Sequence, residues 1–342
     1  MCGIAVVIAY FYTVRTNPSY KSSVMSTETI TQNIPGKEHE VLDFSKCEEL
    51  FKTVGKRLDG QIITCPYDIY VNETLRKRYG YDKTPGKPVD LFVWSKGEPE
   101  KRYLTQVGGL PFLPENRPWP MDSKGQPRIF VGQLSFVDCK DILPVPMPGD
   151  VLLIFAEKEC YDDGYFGSYN GSGEAEGLYF EWVNRENTVP WSREAIREKN
   201  YPSVPLTIYG VTYRGMDHFQ DQEIEAKLDA DYAKNIVWST YHIPAFGGTK
   251  IGGIPRFIQN GPSDYDTKTQ KAGDAVYIGQ LTSVQATSEV RFPWCNRPKS
   301  LPLGFKSEDT SGPENEFMIG DMGDIYFFLK PNGEIVWCEE CY

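Results

Sequence analysis

Hydrophobic and polar residues alternate along two stretches of the chain that resemble each other. Residues 129–136 read IFVGQLSF, and residues 276–283 read VYIGQLTS. A period of two is typical of a β-strand with one buried face. The alternation predicts one shared face in each stretch, formed by Phe130, Gly132, Leu134 and Phe136 in the first and by Tyr277, Gly279 and Leu281 in the second.

A Gly-Gly-aliphatic-Pro turn precedes each of these stretches. The turn residues are Gly108, Gly109 and Pro111 in the first copy and Gly252, Gly253 and Pro255 in the second. A turn, a polar loop and a strand that recur in the same order predict a duplicated unit. We therefore expect a β-rich α+β fold in which duplicated antiparallel or mixed sheet units are related by a pseudo-twofold axis, with a few flanking helices.

The central glycine of each predicted strand is unusual, because glycine weakens a strand. Gly132 and Gly279 are therefore expected at bulges, or where another backbone comes close. Two interpretations stay open: the glycines serve only the packing of two related sheets, or they line a binding surface.

Apolar runs and helical spacing predict the other elements. The turns Gly149-Asp150 and Gly323-Asp324 lead into the buried-strand patterns VLLIFA and IYFFL. Aspartate at such places typically bonds its own turn backbone. Further strands are predicted at Val89–Trp94, Leu178–Val183 and Leu206–Tyr213. Helices are predicted at Asp43–Leu58, Ser192–Lys199 and Asp221–Lys234.

These elements predict how the chain is organised. Residues 1–25 are expected to form a disordered or apolar tail, and residues 26–342 a single domain. Within that domain we expect a helical lead-in at about 40–95, a first repeat at about 96–183, a helical connection at about 184–240 and a second repeat at about 241–342.

The N-terminal apolar run Ile4–Val14 is too short to span a bilayer as a helix. Three interpretations stay open: a short signal-anchor, an extension upstream of a true start at Met25, or a tail. The 8 cysteines are scattered through the chain, which favours a reducing compartment. The cytoplasm is the expected location.

The chain is acidic, with a net charge of −11 at pH 7. This charge repels phosphate and disfavours direct binding of nucleic acid, whereas a basic protein partner would be attracted. The acids concentrate in residues 308–342, where Lys330 is the single base. We interpret this segment as a solvated acidic edge.

Residues that could carry catalysis or bind a metal are sparse. Cys338 and Cys341 form a CxxC motif, but a zinc site needs four ligands, and neither a second pair nor a nearby histidine completes it. No metal and no cofactor is therefore predicted. Asp150 and Asp324 are expected at equivalent places in the two halves, so a hydrolase that divides acid and base roles between them is an alternative.

Taken together, GGLP, Trp119-Pro120, FVGQL, GGIPRFIQ and MGDIYFF resemble the YwqG family over about residues 108–328. The matching positions are Gly108, Gly109, Pro111, Trp119, Pro120, Gln133, Gly252, Gly253, Pro255, Gln259, Gly323 and Asp324. The resemblance implies a more distant relation to programmed cell death protein 2 and to a yeast factor for small-subunit ribosome assembly. Those relatives are dedicated chaperones for a ribosomal protein, which implies protein binding rather than catalysis.

Two features of the family qualify that expectation. Programmed cell death protein 2 also carries a cysteine-dense zinc module that this sequence lacks, so its specific client is not implied. Some bacterial members are encoded beside secreted toxins, which implies an immunity or toxin-handling role as an alternative.

We therefore expect a noncatalytic binding module in which two β-rich units grip an extended segment of a partner protein. The expected binding residues are Trp119, Pro120, Gln133, Gln259, Gln280, Trp294 and Asp324. Convergence of the glutamines and both aspartates in one pocket would instead favour an enzyme, whereas their use in turns and ladders would not.

Overall fold

The structure, a computed structural model, describes residues 73, 75–167, 177–186, 188–233, 244–285 and 313–342. The strands in this part of the chain are β1 Gly86–Lys96, β2 Gln106–Val107, β3 Ile129–Ser135, β4 Val151–Ala156, β5 Leu178–Val183, β6 Ile208–His218, β7 Lys250–Gly252, β8 Tyr265–Asp266, β9 Lys271–Ala272, β10 Ala275–Thr282, β11 Val284–Gln285, β12 Glu316–Phe317, β13 Asp324–Leu329 and β14 Ile335–Glu340. The helices are α1 Lys158–Asp163, α2 Arg193–Lys199 and α3 Gln222–Ala233. Residues 75–79 are also helical, and a 3₁₀ turn follows at Tyr81–Lys83.

One 12-stranded sheet dominates the fold. Its strands run in the order β14-β13-β10-β7-β1-β6-β2-β3-β4-β5, while β9 pairs with β10 and β8 pairs with β9. The centre is the pairing of β1 with β6, which continues over both strands and places Val93 opposite Val211. Every strand pairing in the described residues is antiparallel. A β-rich antiparallel fold is thus confirmed.

The sheet curls until it is nearly closed. Its terminal strands β5 and β14 approach each other through aromatic side chains. The Phe180 ring lies 5.3 Å from the Trp337 ring and 5.8 Å from the Phe327 ring, centroid to centroid. The concave inner face encloses the largest apolar cluster, to which both ends of the sheet contribute. Burial of this shared interior is what curls the sheet.

Two loops cover the outer face of the sheet. Residues 108–128, the first loop, pack Phe112 and Trp119 over β3 and β4. Residues 252–274, the second loop, pack Phe257 and Tyr265 over β10 and β13. Because both faces of these strands are buried, they read as continuous apolar runs. The predicted strands VLLIFA and Leu178–Val183 coincide with β4 and β5.

The predicted alternation along the two Gly-Gln-Leu stretches is wrong at one position in each. The β3–β4 register shifts between Phe130 and Gly132, and the β10–β13 register shifts between Tyr277 and Gly279. Phe130 consequently packs in the outer cluster, while Leu134 packs in the inner one. A β-bulge inserts one extra residue, and this reverses the faces on its two sides.

The prediction that Gly132 and Gly279 mark bulges or close backbone contacts is confirmed. A Cβ atom on Gly132 would lie 2.5 Å from the Gln106 carbonyl oxygen, and one on Gly279 would lie 2.6 Å from that of Lys250. No side chain fits at either place, because atoms this close overlap. Each glycine brings its strand against the strand that ends in a Gly-Gly turn.

The helices follow the sequence pattern where the structure describes them. Helix α2 begins after Ser192, whose hydroxyl accepts a hydrogen bond from the Ala195 amide, and it ends before Asn200 in the left-handed conformation. This is ordinary capping. Helix α3 matches the predicted surface helix. The predicted helix Asp43–Leu58 lies outside the described residues. None of the described helices is long and apolar enough to cross a membrane.

The charge pattern predicted that the acidic C-terminal segment is a solvated edge. The structure shows that only part of it is exposed to solvent. Asp324, Glu339 and Glu340 are buried, whereas Glu334 is exposed and pairs with Lys330. The buried acids belong to β13 and β14, so their side chains turn into the core or under the second loop. The segment is therefore partly structural.

Candidate functional site

The polar residues that recur in the two copies converge on the Gly-Gly turns. Gln133 on β3 accepts a hydrogen bond from the Phe112 amide at 2.9 Å and donates to the carbonyl oxygens of Arg102 and Leu104 at 2.7 and 2.8 Å. Its amide is thus fully occupied by backbone groups. Gln133 holds the first loop against the sheet.

Gln280 holds the second loop in a similar way. Its side-chain oxygen accepts from the Arg256 amide at 3.4 Å and from the Tyr277 hydroxyl at 3.0 Å. Arg256 follows the proline of its turn, as Phe112 does in the first loop. The Gln280 nitrogen donates to Asp324 Oδ2 at 3.3 Å rather than to a carbonyl. The second loop is therefore linked to an ionisable group.

Each turn is also fixed by the residue two positions before its first glycine. Gln106 Nε2 donates to the Leu110 carbonyl oxygen at 2.6 Å. Lys250 Nζ donates to the Ile254 carbonyl oxygen at the same distance, and also to Asp217 Oδ2 at 2.8 Å and to the Phe246 carbonyl oxygen at 2.6 Å. Three acceptors match the three donors of an ammonium group.

The Lys250–Asp217 pair is completely buried. Asp217 also accepts from the amides of Phe246 and Ile254, and the Arg76 guanidinium lies 3.7 Å away. Burial lowers the pKa of Lys250 below its usual value, because charge is costly away from water, although Asp217 opposes this shift. The pair organises the second turn.

Asp324 is the most perturbed carboxyl group beside the second loop. Burial raises its pKa to about 6, against the opposing effect of the hydrogen bond from Tyr326. The Tyr326 hydroxyl lies 3.1 Å from Asp324 Oδ2 and 2.5 Å from the Arg256 carbonyl oxygen. Burial likewise raises the pKa of Tyr326 above its usual range. Such a carboxyl group changes charge near neutral pH.

Glu340 anchors the far end of the second loop. Its carboxylate accepts hydrogen bonds from three consecutive amides, those of Gln259, Asn260 and Gly261, at 2.9, 3.0 and 2.5 Å. The Gln259 side chain donates to the Cys341 carbonyl oxygen at 2.7 Å. Amide donors around a carboxylate are charge-assisted and strong. Gln259 is therefore also used for holding the loop.

Trp119 and Pro120, two further predicted binding residues, lie apart from this network. Trp119 is only 2% exposed, stacks on Tyr201 at 4.5 Å and donates from its indole to the Arg128 carbonyl oxygen. Pro120 beside it is buried. Trp294 lies outside the described residues. The Trp119-Pro120 pair is thus part of the loop's own packing rather than an exposed pocket.

Asp150 and Asp324 do not occupy corresponding places. The Phe136 amide donates to the Asp150 carbonyl oxygen, and the Ser283 amide donates to that of Gly323. Asp150 therefore corresponds to the glycine before Asp324. Its carboxylate accepts from Lys140 Nζ at 2.6 Å and from the Arg185 amide at 2.8 Å at the surface. The prediction that it bonds its own turn backbone is therefore wrong, because the polar groups that reach it come from residues remote in sequence.

Sequence reasoning overlooked Lys250, Asp217 and Glu340. A signal for Lys250 was present, because residues 105–109 read TQVGG and residues 249–253 read TKIGG. Asp217 gave no such signal, since its partner is remote in sequence. Among the described residues, no three His, Cys, Asp or Glu side chains are grouped so that they could hold a metal ion.

Comparison with known families gives one match. The family model described as a domain of unknown function (DUF1963) matches residues 105–333, which is about two thirds of the chain. This match covers both Gly-Gly turns, both Gly-Gln-Leu strands and β13. No curated protein matches the chain.

Proposed function

The chain belongs to the DUF1963 family, and from this premise we propose that it is a noncatalytic protein-binding module. It holds an extended segment of a partner between the terminal strands β5 and β14 of its nearly closed sheet. The observation that carries the proposal is that these two strands each pair with a single strand in the described part of the chain. An extended peptide can add to such an edge through its main chain.

The direction of the backbone groups at these edges supports the proposal. The Glu157 amide donates to the Gly177 carbonyl oxygen, and alternate residues of an antiparallel pair exchange both hydrogen bonds. Leu178, Phe180 and Trp182 therefore turn their N–H and C=O groups away from β4, towards the open side. By the same argument from the Lys330–Glu334 bond, the β14 residues Ile335 and Trp337 turn theirs away from β13.

The contacts of the recurring polar residues also support a noncatalytic binding module. Gln133, Gln259 and Gln280 are engaged in fixing the two loops, and the Asp150 carboxylate is engaged by Lys140 and the Arg185 amide at the surface. Fixed loops make a rigid frame, which lowers the cost of ordering a bound segment. A hydrolase that uses Asp150 and Asp324 as a pair finds less support, because Asp150 bonds groups at the surface while Asp324 is buried beneath the second loop.

We also propose that the fold arose by duplication, with a pseudo-twofold axis between β1 and β6. Counted outward from the centre, the sheet reads β6-β2-β3-β4-β5 in one direction and β1-β7-β10-β13-β14 in the other. The bulges at Gly132 and Gly279 fall on corresponding strands. In this scheme the units exchange their first strands. β1 precedes the first unit in sequence but lies beside β7 of the second, and β6 precedes the second unit but lies beside β2 of the first. The edges β5 and β14 are then equivalent and face each other across the gap.

The net charge of −11 favours a basic partner. A chaperone-like role towards a basic client, such as a ribosomal protein, is the form of this proposal that the YwqG resemblance implies. Toxin neutralisation would use the same edges on a different partner. A cytoplasmic location stays a prediction.

Capture from the native host tests the proposal. The tagged wild-type chain is expected to recover one basic protein in near-stoichiometric amount. Tyr179 lies on β5 and is 40% exposed, so Tyr179→Lys adds a charge that repels a basic segment at the edge. Val189→Lys makes the same change at a 61% exposed site off the strand. Capture that is lost only in Tyr179→Lys supports the proposal, whereas a clean wild-type protein without a partner contradicts it.

A further inference from the structure

The two terminal strands each carry a tryptophan on the inner face, and the two indole groups differ in their hydrogen bonds. Trp337 on β14 donates from Nε1 to the Gly167 carbonyl oxygen at 3.1 Å. Trp182 on β5 has a buried Nε1 with no hydrogen-bond partner among the described residues. A buried donor without a partner destabilises the folded state. Nothing else on β5 explains why the fold keeps an unsatisfied hydrogen-bond donor at Trp182.

The chain itself shows how this gap accommodates a backbone segment. Phe166 donates its amide hydrogen to Glu339 Oε2 at 2.6 Å, and its side chain is completely buried in the inner cluster. A Cβ atom on Gly177, at the start of β5, would lie 2.4 Å from the Phe166 carbonyl oxygen. Residues 165–167 thus lie between the start of β5 and the end of β14. There the side chains of β14 bind a backbone N–H and C=O.

Trp182 lies towards the other end of β5. Its ring packs against Phe136 at 5.4 Å, and it is two residues beyond Phe180, the residue that touches β14. The backbone of Trp182 also turns its polar groups towards the open side of β5. A backbone carbonyl group entering the gap there would accept from the indole, as the Gly167 carbonyl does from Trp337.

We propose that Trp182 Nε1 is a subsite for a main-chain carbonyl group of an extended peptide from the basic partner. This inference rests on the proposed function, since it places the partner's backbone at the β5 edge. The indole contributes affinity without selecting a side chain. Residues 165–167 supply the same contact internally at the opposite end of the gap.

Trp182→Phe tests the subsite, because it removes the N–H group and keeps an aromatic ring against Phe136. Binding is measured by fluorescence anisotropy with a labelled library of lysine- and valine-rich nonapeptides. The expected result is about tenfold weaker binding. The Tm of the free protein should stay unchanged or rise, since an unsatisfied donor is removed. Trp337→Phe is the matched control, and it should lower Tm because it breaks the bond to Gly167.

The outcomes separate this inference from the proposed function. Equal affinity of Trp182→Phe and wild type for the same peptides overturns the subsite and leaves edge binding intact. A fall in Tm for Trp182→Phe as large as that for Trp337→Phe also overturns it, because the indole would then be bonded in the free protein. Failure of every library peptide to bind the wild-type chain overturns both.

Discussion

The two loops on the outer face are held by similar bonds to different chemical groups. In the first loop, Gln106 and Gln133 bind carbonyl and amide groups among apolar neighbours, and the Arg102 guanidinium donates to the Pro111 carbonyl oxygen at 2.7 Å. In the second loop, the ionisable Lys250 takes the role of Gln106, and Gln280 is joined to Asp324. The bonds to the turns are alike in both. A neutral amide therefore serves at the first turn where the second turn uses a buried ammonium group.

The difference shows what the second half has in addition. Phe130 precedes the first bulge and Tyr277 precedes the second, and Leu153 on β4 lies where β13 has Tyr326. The second loop thus lies over buried hydroxyl groups where the first lies over hydrocarbon. Lys250 stands where the first has the neutral amide of Gln106. Buried charges cost free energy unless each is paired and hydrogen-bonded. The second half should consequently be the more sensitive to mutation and to pH.

The largest expected effect comes from removing the buried ammonium group. Lys250→Met leaves the Asp217 carboxylate buried without its closest cation, and we expect a loss of about 4 kcal/mol in the free energy of unfolding. Gln106→Met removes a neutral donor at the corresponding place and should cost about 1 kcal/mol. Urea denaturation of both variants measures the difference.

We expect part of the lost stability to return when the Asp217 carboxylate is replaced by a neutral amide as well. The double variant Lys250→Met with Asp217→Asn should be more stable than Lys250→Met alone, since the uncompensated charge is gone. Similar losses for Lys250→Met and Gln106→Met would show that the ion pair adds nothing to the neutral bond. The comparison between the two covers would then fail.

Local pattern predicted the strands but not the ionic network. The apolar runs were sufficient to locate β4 and β13, because burial on both faces leaves a continuous signature. The sequence also located β5, although Tyr179 on this strand is 40% exposed. The glycine at the centre of each Gly-Gln-Leu stretch predicted the bulge. The pattern still gave the wrong faces around it, since one inserted residue reverses the alternation. Asp217 meets Lys250 through a tertiary contact, which no local spacing encodes.

The second expected effect is a pH dependence of stability that comes from Asp324, beneath the second loop. Asp324 has a folded pKa of about 6 against an ordinary value of 3.8. As pH rises from about 4 to about 6, the unfolded chain releases this proton before the folded chain does, so the carboxyl group destabilises the fold. We expect the free energy of unfolding of Asp324→Asn, relative to wild type, to rise by about 3 kcal/mol across this window and to rise no further above it.

The measurement is urea denaturation of wild type and Asp324→Asn at a series of pH values. Other titrating groups, including Glu339, are present in both proteins and cancel in the difference. The first cover has Val151 opposite Ser135 where β13 has Asp324 opposite Thr282. Val151→Ala should therefore lose stability by an amount that does not depend on pH. A flat difference for Asp324→Asn would mean that the buried carboxyl group is not perturbed.

The smallest effect tests what the two halves share. Gly132→Ala and Gly279→Ala each place a methyl group within 2.6 Å of a backbone carbonyl oxygen on the neighbouring strand. Backbone cannot move aside as a flexible side chain can, so we expect each to cost about 2 kcal/mol. Gly125→Ala is the control, because a Cβ there meets nothing within 4 Å and only the left-handed conformation opposes it, at about 1 kcal/mol. Equal losses at the two bulges would show that their geometry does not depend on whether Gln106 or Lys250 fixes the turn above. A much larger loss of stability for Gly279→Ala than for Gly132→Ala would mean that strain at the second bulge reaches Lys250, because the new methyl group meets the Lys250 carbonyl. The two loops would then differ in rigidity as well as in charge.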